Sequence, residues 1–187
     1  GYGYADLEKG VPVDPEQTMF RIGSVGKVFT WTAVMQLVEQ GKLDLDADIN
    51  TYLDFRVPDT YPGPITLKHL MTHTSGFEER WVGSMSLAAS DLVPAREWLI
   101  DHMAARVRTP GEGAAYSNYN AMLAGYIVER VSGQPYAQYI QENILAMQEY
   151  LVVDSILPVD KKDRPGNHRS KVIGCNIFYN LESFVHR

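Results

Sequence analysis

The sequence predicts an α+β domain in which a helical subdomain lies on a small antiparallel sheet. Apolar residues recur at helical spacing in several segments between residues 24 and 145, and helix stop signals separate these segments. Short runs of aromatic and β-branched residues near the N-terminus and after residue 147 are typical of strands. The chain has 187 residues, which is enough for one domain with a sizeable core.

Two short strands are expected first, in residues 1–6 and 18–22, and Gly23 then provides a tight turn. A helix should run from Ser24 to Gln40 and end at Gly41. Five apolar residues of this helix fall at helical spacing, and we expect their stripe to face the core: Val28, Trp31, Val34, Met35 and Val38.

Four shorter helices should follow, each with a recognisable boundary residue. Thr66 is expected to cap a helix that ends at Met71 or Thr72. The remaining three are expected from Pro94 to about Ala105, from Tyr119 to Val131 before Gly133, and from Pro135 to about Leu145. Residues 77–90 should be irregular, and residues 151–157 and 172–179 should be strands. The change in character divides the chain into segments 1–146 and 147–187.

Composition excludes several classes of protein. The formal net charge of −6 and the scattered basic residues argue against nucleic-acid binding. Cys175 is the single cysteine, so neither an intramolecular disulfide framework nor a cysteine zinc site is expected. No run of about 18 apolar residues could span a bilayer. His69 and His73 have the i, i+4 spacing of metal ligands, but packed or hydrogen-bonded histidines are the favoured interpretation, and no metal is expected.

Two short motifs carry the candidate chemistry. Ser24 and Lys27 form an S-x-x-K motif, whose spacing puts both side chains on one helical face. Tyr116 and Asn118 form a Y-x-N motif about ninety residues later. Each also has a structural interpretation: a helix-capping serine, a solvated lysine, a packed tyrosine and a capping asparagine. A lone S-x-x-K is expected by chance about once in a chain of this length.

The residue types suit nucleophilic catalysis. A serine hydroxyl is a poor nucleophile until a base takes its proton. A buried lysine can be that base, or its ammonium can favour the phenolate of a nearby tyrosine, and either arrangement supplies a proton relay. Ser24 also begins a predicted helix, where the helix dipole favours developing negative charge.

Three segments together resemble the serine β-lactamase and penicillin-binding protein superfamily. Residues 20–27 resemble its nucleophile signature, residues 67–77 resemble a landmark that follows the first helices, and Pro110-Gly111 with residues 116–118 resembles its second catalytic motif. The similarity covers roughly residues 1–145 and is greatest to the branch of class C β-lactamases, D-Ala-D-Ala carboxypeptidases and family VIII carboxylesterases.

The resemblance implies a role for each motif residue. Ser24 would accept the acyl group, and its backbone N–H would donate to the oxyanion. Lys27 would assist deprotonation, and Tyr116 would be general base and general acid. Asn118 would hydrogen-bond the acyl side of the substrate. Segment 1–146 would then be the catalytic core, acting on a small-molecule ester or β-lactam, without a metal or organic cofactor.

The departures from the family leave a second hypothesis open. The third motif, a Lys-, His- or Trp-x-Gly triad on a strand, has no counterpart, since Lys171 and Gly174 are wrongly spaced by one residue. The resemblance therefore implies a truncated member with an incomplete sheet, which residues 147–187 could complete. The alternative to a hydrolase is a catalytically impaired ligand-binding or structural remnant. A homodimer and a soluble protein of the bacterial cytoplasm or periplasm remain expectations.

Overall fold

The computed structural model describes residues 1–79 and 92–146. Strands β1 (Tyr4–Asp6) and β2 (Val11–Pro12) form an antiparallel pair, in which Tyr4 lies opposite Pro12. The helices are α1 (Lys27–Glu39), α2 (Leu67–Met71), α3 (Ala95–Asp101), α4 (Asn118–Ser132) and α5 (Tyr136–Ile140). Single 3₁₀ turns occupy Gly23–Gly26 and Ile49–Thr51, and α5 continues as a π-helical turn over Gln141–Leu145.

The predicted fold class is confirmed: the described residues form helices and a small antiparallel sheet. The predicted strand over residues 18–22 is wrong, because these residues form no ladder with any other described segment. A strand needs a neighbouring strand to bond its backbone N–H and C=O groups. The composition of residues 18–22 favours extended backbone but does not provide a strand for it to pair with. The predicted strands after residue 147 and the third-motif segment lie outside the described residues.

Helix α4 is the centre of the core. It packs against α1, α2, α3 and α5, and every residue from Asn118 to Val128 is buried. Gly125 allows α5 to approach closely, since a β-carbon there would lie 3.3 Å from Cε2 of Tyr136. The first turn of this central helix therefore has a fixed position, which matters because it carries the second motif.

Helix boundaries follow local chemistry. Thr66 caps α2 as predicted: its hydroxyl accepts from the backbone N–H of His69, while the His69 ring bonds back to the N–H of Thr66. Gly41 and Gly133 end α1 and α4 with φ values of 70° and 71°, in the left-handed region where glycine is favoured. Helix α3 ends at Asp101, four residues before its predicted end. No helix of the described segments is long and apolar enough to cross a membrane.

The predicted core stripe of α1 is partly wrong. Val34 is fully buried, but Val28 and Met35 are 56% and 44% exposed. The buried face instead contains Lys27, Thr30, Ala33, Val34 and Leu37. Apolar side chains occur on nearly every side of α1, so their spacing cannot select the face that meets α4. The selected face also buries Lys27, a residue that composition alone would place outside.

Candidate active site

Ser24 and Lys27 lie where the chain turns into α1. The 3₁₀ turn Gly23–Gly26 contains Ser24, and Lys27 is the first residue of the helix. The Lys27 amine donates to the Ser24 hydroxyl across 3.2 Å. The turn begins at Gly23 with φ of 53°, a conformation in which a side chain would be strained. The S-x-x-K spacing thus produces a direct contact between amine and hydroxyl.

Tyr116 and Asn118 reach the same point from the start of α4. The Tyr116 hydroxyl donates to the Ser24 hydroxyl at 2.6 Å, and the Asn118 Oδ1 accepts from the Lys27 amine at 2.7 Å. A longer contact of 3.4 Å joins the Tyr116 hydroxyl to the same Oδ1. The structure therefore brings together all four residues singled out in the sequence, from positions more than ninety residues apart.

Burial divides these four side chains into two pairs. Ser24 is exposed and Tyr116 is 48% exposed, so both hydroxyls face solvent. Lys27 is 5% exposed and Asn118 is 4% exposed. The amine also lies 4.9 Å from the centre of the Tyr116 ring. A buried cation beneath two accessible hydroxyls can stabilise negative charge on either oxygen while leaving the serine open to a substrate.

His73 fixes the chain on both sides of Tyr116. Its carbonyl accepts from the N–H of Ala115 at 2.8 Å, and its Nδ1 accepts from the N–H of Ser117 at 3.2 Å. Its ring centre lies 4.5 Å from that of Tyr116. Because Nδ1 accepts this bond, the neutral ring carries its hydrogen on Nε2. His73 has a φ of 55°, an uncommon left-handed conformation for a residue with a side chain.

The electrostatic surroundings favour neutral His73. Burial is the largest influence that lowers the pKa of His73 below 6.5, and the positive charge of Lys27 acts in the same direction. The carboxylate of Glu79 and the hydrogen bond from Ser117 oppose the shift. A neutral ring keeps Nδ1 as an acceptor, so the direction of the pKa shift agrees with the hydrogen bond.

The landmark segment 67–77 has a structural explanation. Ser75 donates to Oδ1 of the fully buried Asn120 at 2.7 Å, which ties the segment to α4. At Gly76 a β-carbon would lie 2.2 Å from the carbonyl oxygen of Arg108, so only glycine fits there. His69 caps α2 while His73 contacts the Y-x-N segment, so the two histidines serve different contacts.

Glu79 is the residue of this site that sequence reasoning missed. One carboxylate oxygen accepts from the backbone N–H of Asn118 at 2.5 Å, and the other accepts from Nδ2 of Asn118 at 2.9 Å. Glu79 lies in a segment expected to be irregular and belongs to no motif. Its partner is 39 residues away, so no local spacing indicates the contact.

Comparisons with known proteins identify relatives of the whole described region. A family model described as Beta-lactamase matches residues 1–169. The chain is 36% identical over 146 residues to the putative penicillin-binding protein PbpX of Bacillus subtilis, covering 77% of this chain and 34% of that protein. It is 38% identical over 150 residues to esterase EstB of Burkholderia gladioli, covering 72% of this chain and 38% of the esterase.

Solved structures with the same fold include an amidase and a penicillin-binding protein homologue. A D-amino acid amidase from Ochrobactrum anthropi matches with a TM-score of 0.67 and 29% identity, over 79% of this chain and 40% of the amidase. An octameric penicillin-binding protein homologue from Pyrococcus abyssi matches with a TM-score of 0.63 and 32% identity, over 77% of this chain and 34% of that one. The chain thus spans about a third of the length of the first curated relative.

Proposed function

Since the chain belongs to the Beta-lactamase family, we propose that it is a serine hydrolase that cleaves esters or amides through an acyl-enzyme on Ser24. The proposal rests above all on the Ser24 hydroxyl, which lies 2.6 Å from the Tyr116 hydroxyl and 3.2 Å from the Lys27 amine. These distances are those over which a proton can be transferred directly. A structural serine cap would not require either partner.

In the proposed acylation step, Tyr116 acts as the phenolate beside the Lys27 ammonium. Ser24 Oγ attacks the carbonyl carbon of the substrate, and its proton passes to the Tyr116 oxygen. The buried charge of Lys27 stabilises the anionic oxygens that form on the way. The backbone N–H of Ser24 donates to the carbonyl oxygen as it becomes an oxyanion. Collapse of the tetrahedral intermediate breaks the bond to the leaving group, which takes the proton back from the relay.

In the proposed deacylation step, water attacks the acyl-Ser24 ester, and Tyr116 removes the water proton. The proton returns to Ser24 Oγ as the acid product leaves, which restores the resting site. Exposure of Ser24 and Tyr116 gives water access to this face. The same relay thus serves both half-reactions in opposite directions.

Small esters are the substrates we propose first, because an ester has a better leaving group than an amide. A β-lactam is the second candidate, since ring strain activates its amide. One relative is named as an esterase and one as a D-amino acid amidase. These names describe those two proteins, and they are the reason for testing both esters and amides here. Both substrate classes would acylate the same residue, Ser24, so one experiment tests both.

The test is mass spectrometry of the full chain after reaction with p-nitrophenyl acetate or a reactive β-lactam. We expect the acyl mass on the peptide that contains Ser24, and none on that peptide in Ser24→Ala. Tyr116→Phe and Lys27→Ala should slow labelling by about 10²-fold or more, because the first removes the proton acceptor and the second removes the positive charge beside it. Ser132→Ala is the matched serine control, at the opposite end of α4, about 20 Å from Asn118.

Two outcomes would contradict the proposal in different ways. Equal labelling of Ser24→Ala would show that Ser24 is not the nucleophile. Labelling of Ser24 that is not followed by hydrolysis of the acyl-enzyme and further turnovers would favour the impaired ligand-binding alternative. Loss of one oxyanion donor typically costs about 10²–10³ in rate, so slow turnover would still be consistent with a hydrolase.

A further inference from the structure

The start of α4 receives its cap from another segment of the chain. Ser117 occupies the capping position, but its side chain accepts no backbone N–H, and its buried hydroxyl has no hydrogen-bond partner among the described residues. The Glu79 carboxylate accepts the N–H of Asn118 instead. A negative group at this end of a helix is favoured by the helix dipole. A single capping bond would use one carboxylate oxygen, so the second contact needs a separate explanation.

That second contact and the contact with Lys27 together determine which way the Asn118 amide points. Nδ2 can only donate and Oδ1 can only accept. The Glu79 carboxylate only accepts, and it receives Nδ2 at 2.9 Å. The Lys27 ammonium only donates, and it reaches Oδ1 at 2.7 Å. A flipped amide would direct Nδ2 at an ammonium and Oδ1 at a carboxylate, so it would lose both bonds and create two repulsive contacts.

The orientation of Asn118 in turn affects the nucleophile. Lys27 bonds Asn118 Oδ1 and Ser24 Oγ with the same amine nitrogen. If Oδ1 moved away, the long and flexible lysine side chain would lose its shorter anchoring contact. The longer contact with Ser24, at 3.2 Å, would then lose the support of that bond. The geometry of the amine at the serine therefore depends on a carboxylate that touches neither group in the described contacts.

We propose that Glu79 is a positioning residue, which holds the Asn118 amide so that its Oδ1 keeps the Lys27 amine against Ser24. This inference rests on the proposed function, because the position of the amine matters for catalysis only if Ser24 is the nucleophile. The second hydrogen on Nδ2 of Asn118 remains available by valence for the acyl side of a substrate. Glu79 therefore uses one of the two Nδ2 hydrogens of Asn118 and leaves the other for a substrate.

The first measurement is independent of activity. In the ¹⁵N-labelled full chain, the side-chain amide resonances of Asn118 are assigned by their absence in Asn118→Ala. We expect Glu79→Gln to change their chemical shifts and speed their exchange with water, because the carboxylamide replaces one acceptor by a donor. Glu78→Gln is the matched control, since this exposed neighbour carries the same charge. An unchanged Asn118 amide in Glu79→Gln overturns the proposal.

The second measurement is a double-mutant cycle on the rate of Ser24 acylation by p-nitrophenyl acetate. Glu79→Gln alone should lower the maximal rate by about tenfold, and Glu78→Gln should not. In the Asn118→Ala background, Glu79→Gln should have no further effect, because its route of action is already removed. A purely structural cap would lower the melting temperature without this rate effect, and full additivity in the cycle would likewise overturn the proposal.

The two measurements separate the two hypotheses. If wild-type Ser24 is not acylated but the Asn118 resonances respond to Glu79→Gln, the proposed function fails and the positioning contact is supported. If Ser24 is acylated and Glu79→Gln changes neither the rate nor the resonances, the proposed function is supported and the positioning role is wrong.

Discussion

His73 couples the geometry of Tyr116 to pH. Its Nδ1 must stay unprotonated to accept the Ser117 N–H, and its ring packs on Tyr116. The charged groups that act on it are Lys27, which lowers its pKa, and Glu79, which raises it. A left-handed backbone conformation at a residue with a side chain costs free energy, and such residues cluster at functional sites. The histidine of the landmark is therefore part of the support of the candidate site.

The pKa shift predicts a direction for the pH dependence of stability. Because the pKa of folded His73 lies below 6.5, the unfolded chain binds more protons than the folded chain between these two values. The contribution of neutral His73 to stability is complete above about 6.5 and is lost as pH falls from there through the folded pKa. Urea unfolding of the wild type should therefore show falling stability from pH 7.5 to 5.

His73→Asn is the variant for this measurement, because asparagine tolerates the left-handed backbone. It should lose less stability than the wild type over the same pH range. The pKa of His69 is also lowered, chiefly by burial and then by the positive charge of Lys68. The variant His69→Gln therefore measures how much of the pH dependence of stability comes from His69 and not from His73. Identical pH profiles for the wild type and His73→Asn would contradict the interpretation.

At the scale of elements, α1 combines a core face with an apolar exposed face. Leu37 and Val34 are completely buried against the core, whereas Val28 and Met35 are about half exposed. The sequence spacing put Val28, Val34 and Met35 on one stripe, so it failed to distinguish the two faces. The buried face is the one that carries Lys27 to Asn118, and packing and the site therefore select the same rotation of the helix.

Truncation of single residues on α1 should reveal this rotation. Leu37→Ala should lower the free energy of unfolding by about 2–5 kcal/mol, because it leaves a cavity in the core. Met35→Ala removes a side chain of similar size from the exposed side and should change stability by about 0.5 kcal/mol or less. Urea denaturation with both variants gives the comparison. Similar losses for both would show that Met35 is covered in the protein in solution.

At the scale of the whole molecule, the segment before α1 and the first turn of α1 expose apolar side chains. Phe20 is 68% exposed, and Met19, Ile22, Val25 and Val28 are each more than half exposed. Within residues 1–79 and 92–146, strands β1 and β2 form a two-stranded sheet, and a sheet of two strands is marginal by itself. A large exposed apolar patch usually marks a surface that another segment or a partner covers. The sequence offers apolar segments at 151–157 and 172–179 as candidates for the cover.

We therefore predict that deleting residues 148–187 makes the protein insoluble or much less stable. The deletion would remove the segments expected to complete the sheet, within one chain or by exchange in a dimer. Solubility, melting temperature and molecular mass in solution are the measurements. A replacement of the same 40 positions by a Gly/Ser linker controls for chain length. A soluble deletion variant with unchanged melting temperature and mass would contradict the prediction.

The sequence by itself determined the features that depend on neighbouring residues. Gly41, Thr66 and Gly133 give helix boundaries because capping is a contact within a few residues. The contact between Ser24 and Lys27 follows from one helical turn. The resemblance of three ordered segments predicted the family and the fold class, and it predicted that Tyr116 and Asn118 would belong with Ser24.

Only the tertiary structure decided the features that depend on distant residues. The rotation of α1 is set by its contact with α4, which a helix with apolar residues on several sides does not encode locally. Residues 18–22 have the composition of a strand but no pairing partner among the described segments. Glu79 and His73 act on the Y-x-N segment across 39 and 44 residues. Such contacts arise because folding brings separate segments of the chain to the first turn of α4, and no pattern of neighbouring residues indicates which segments these are.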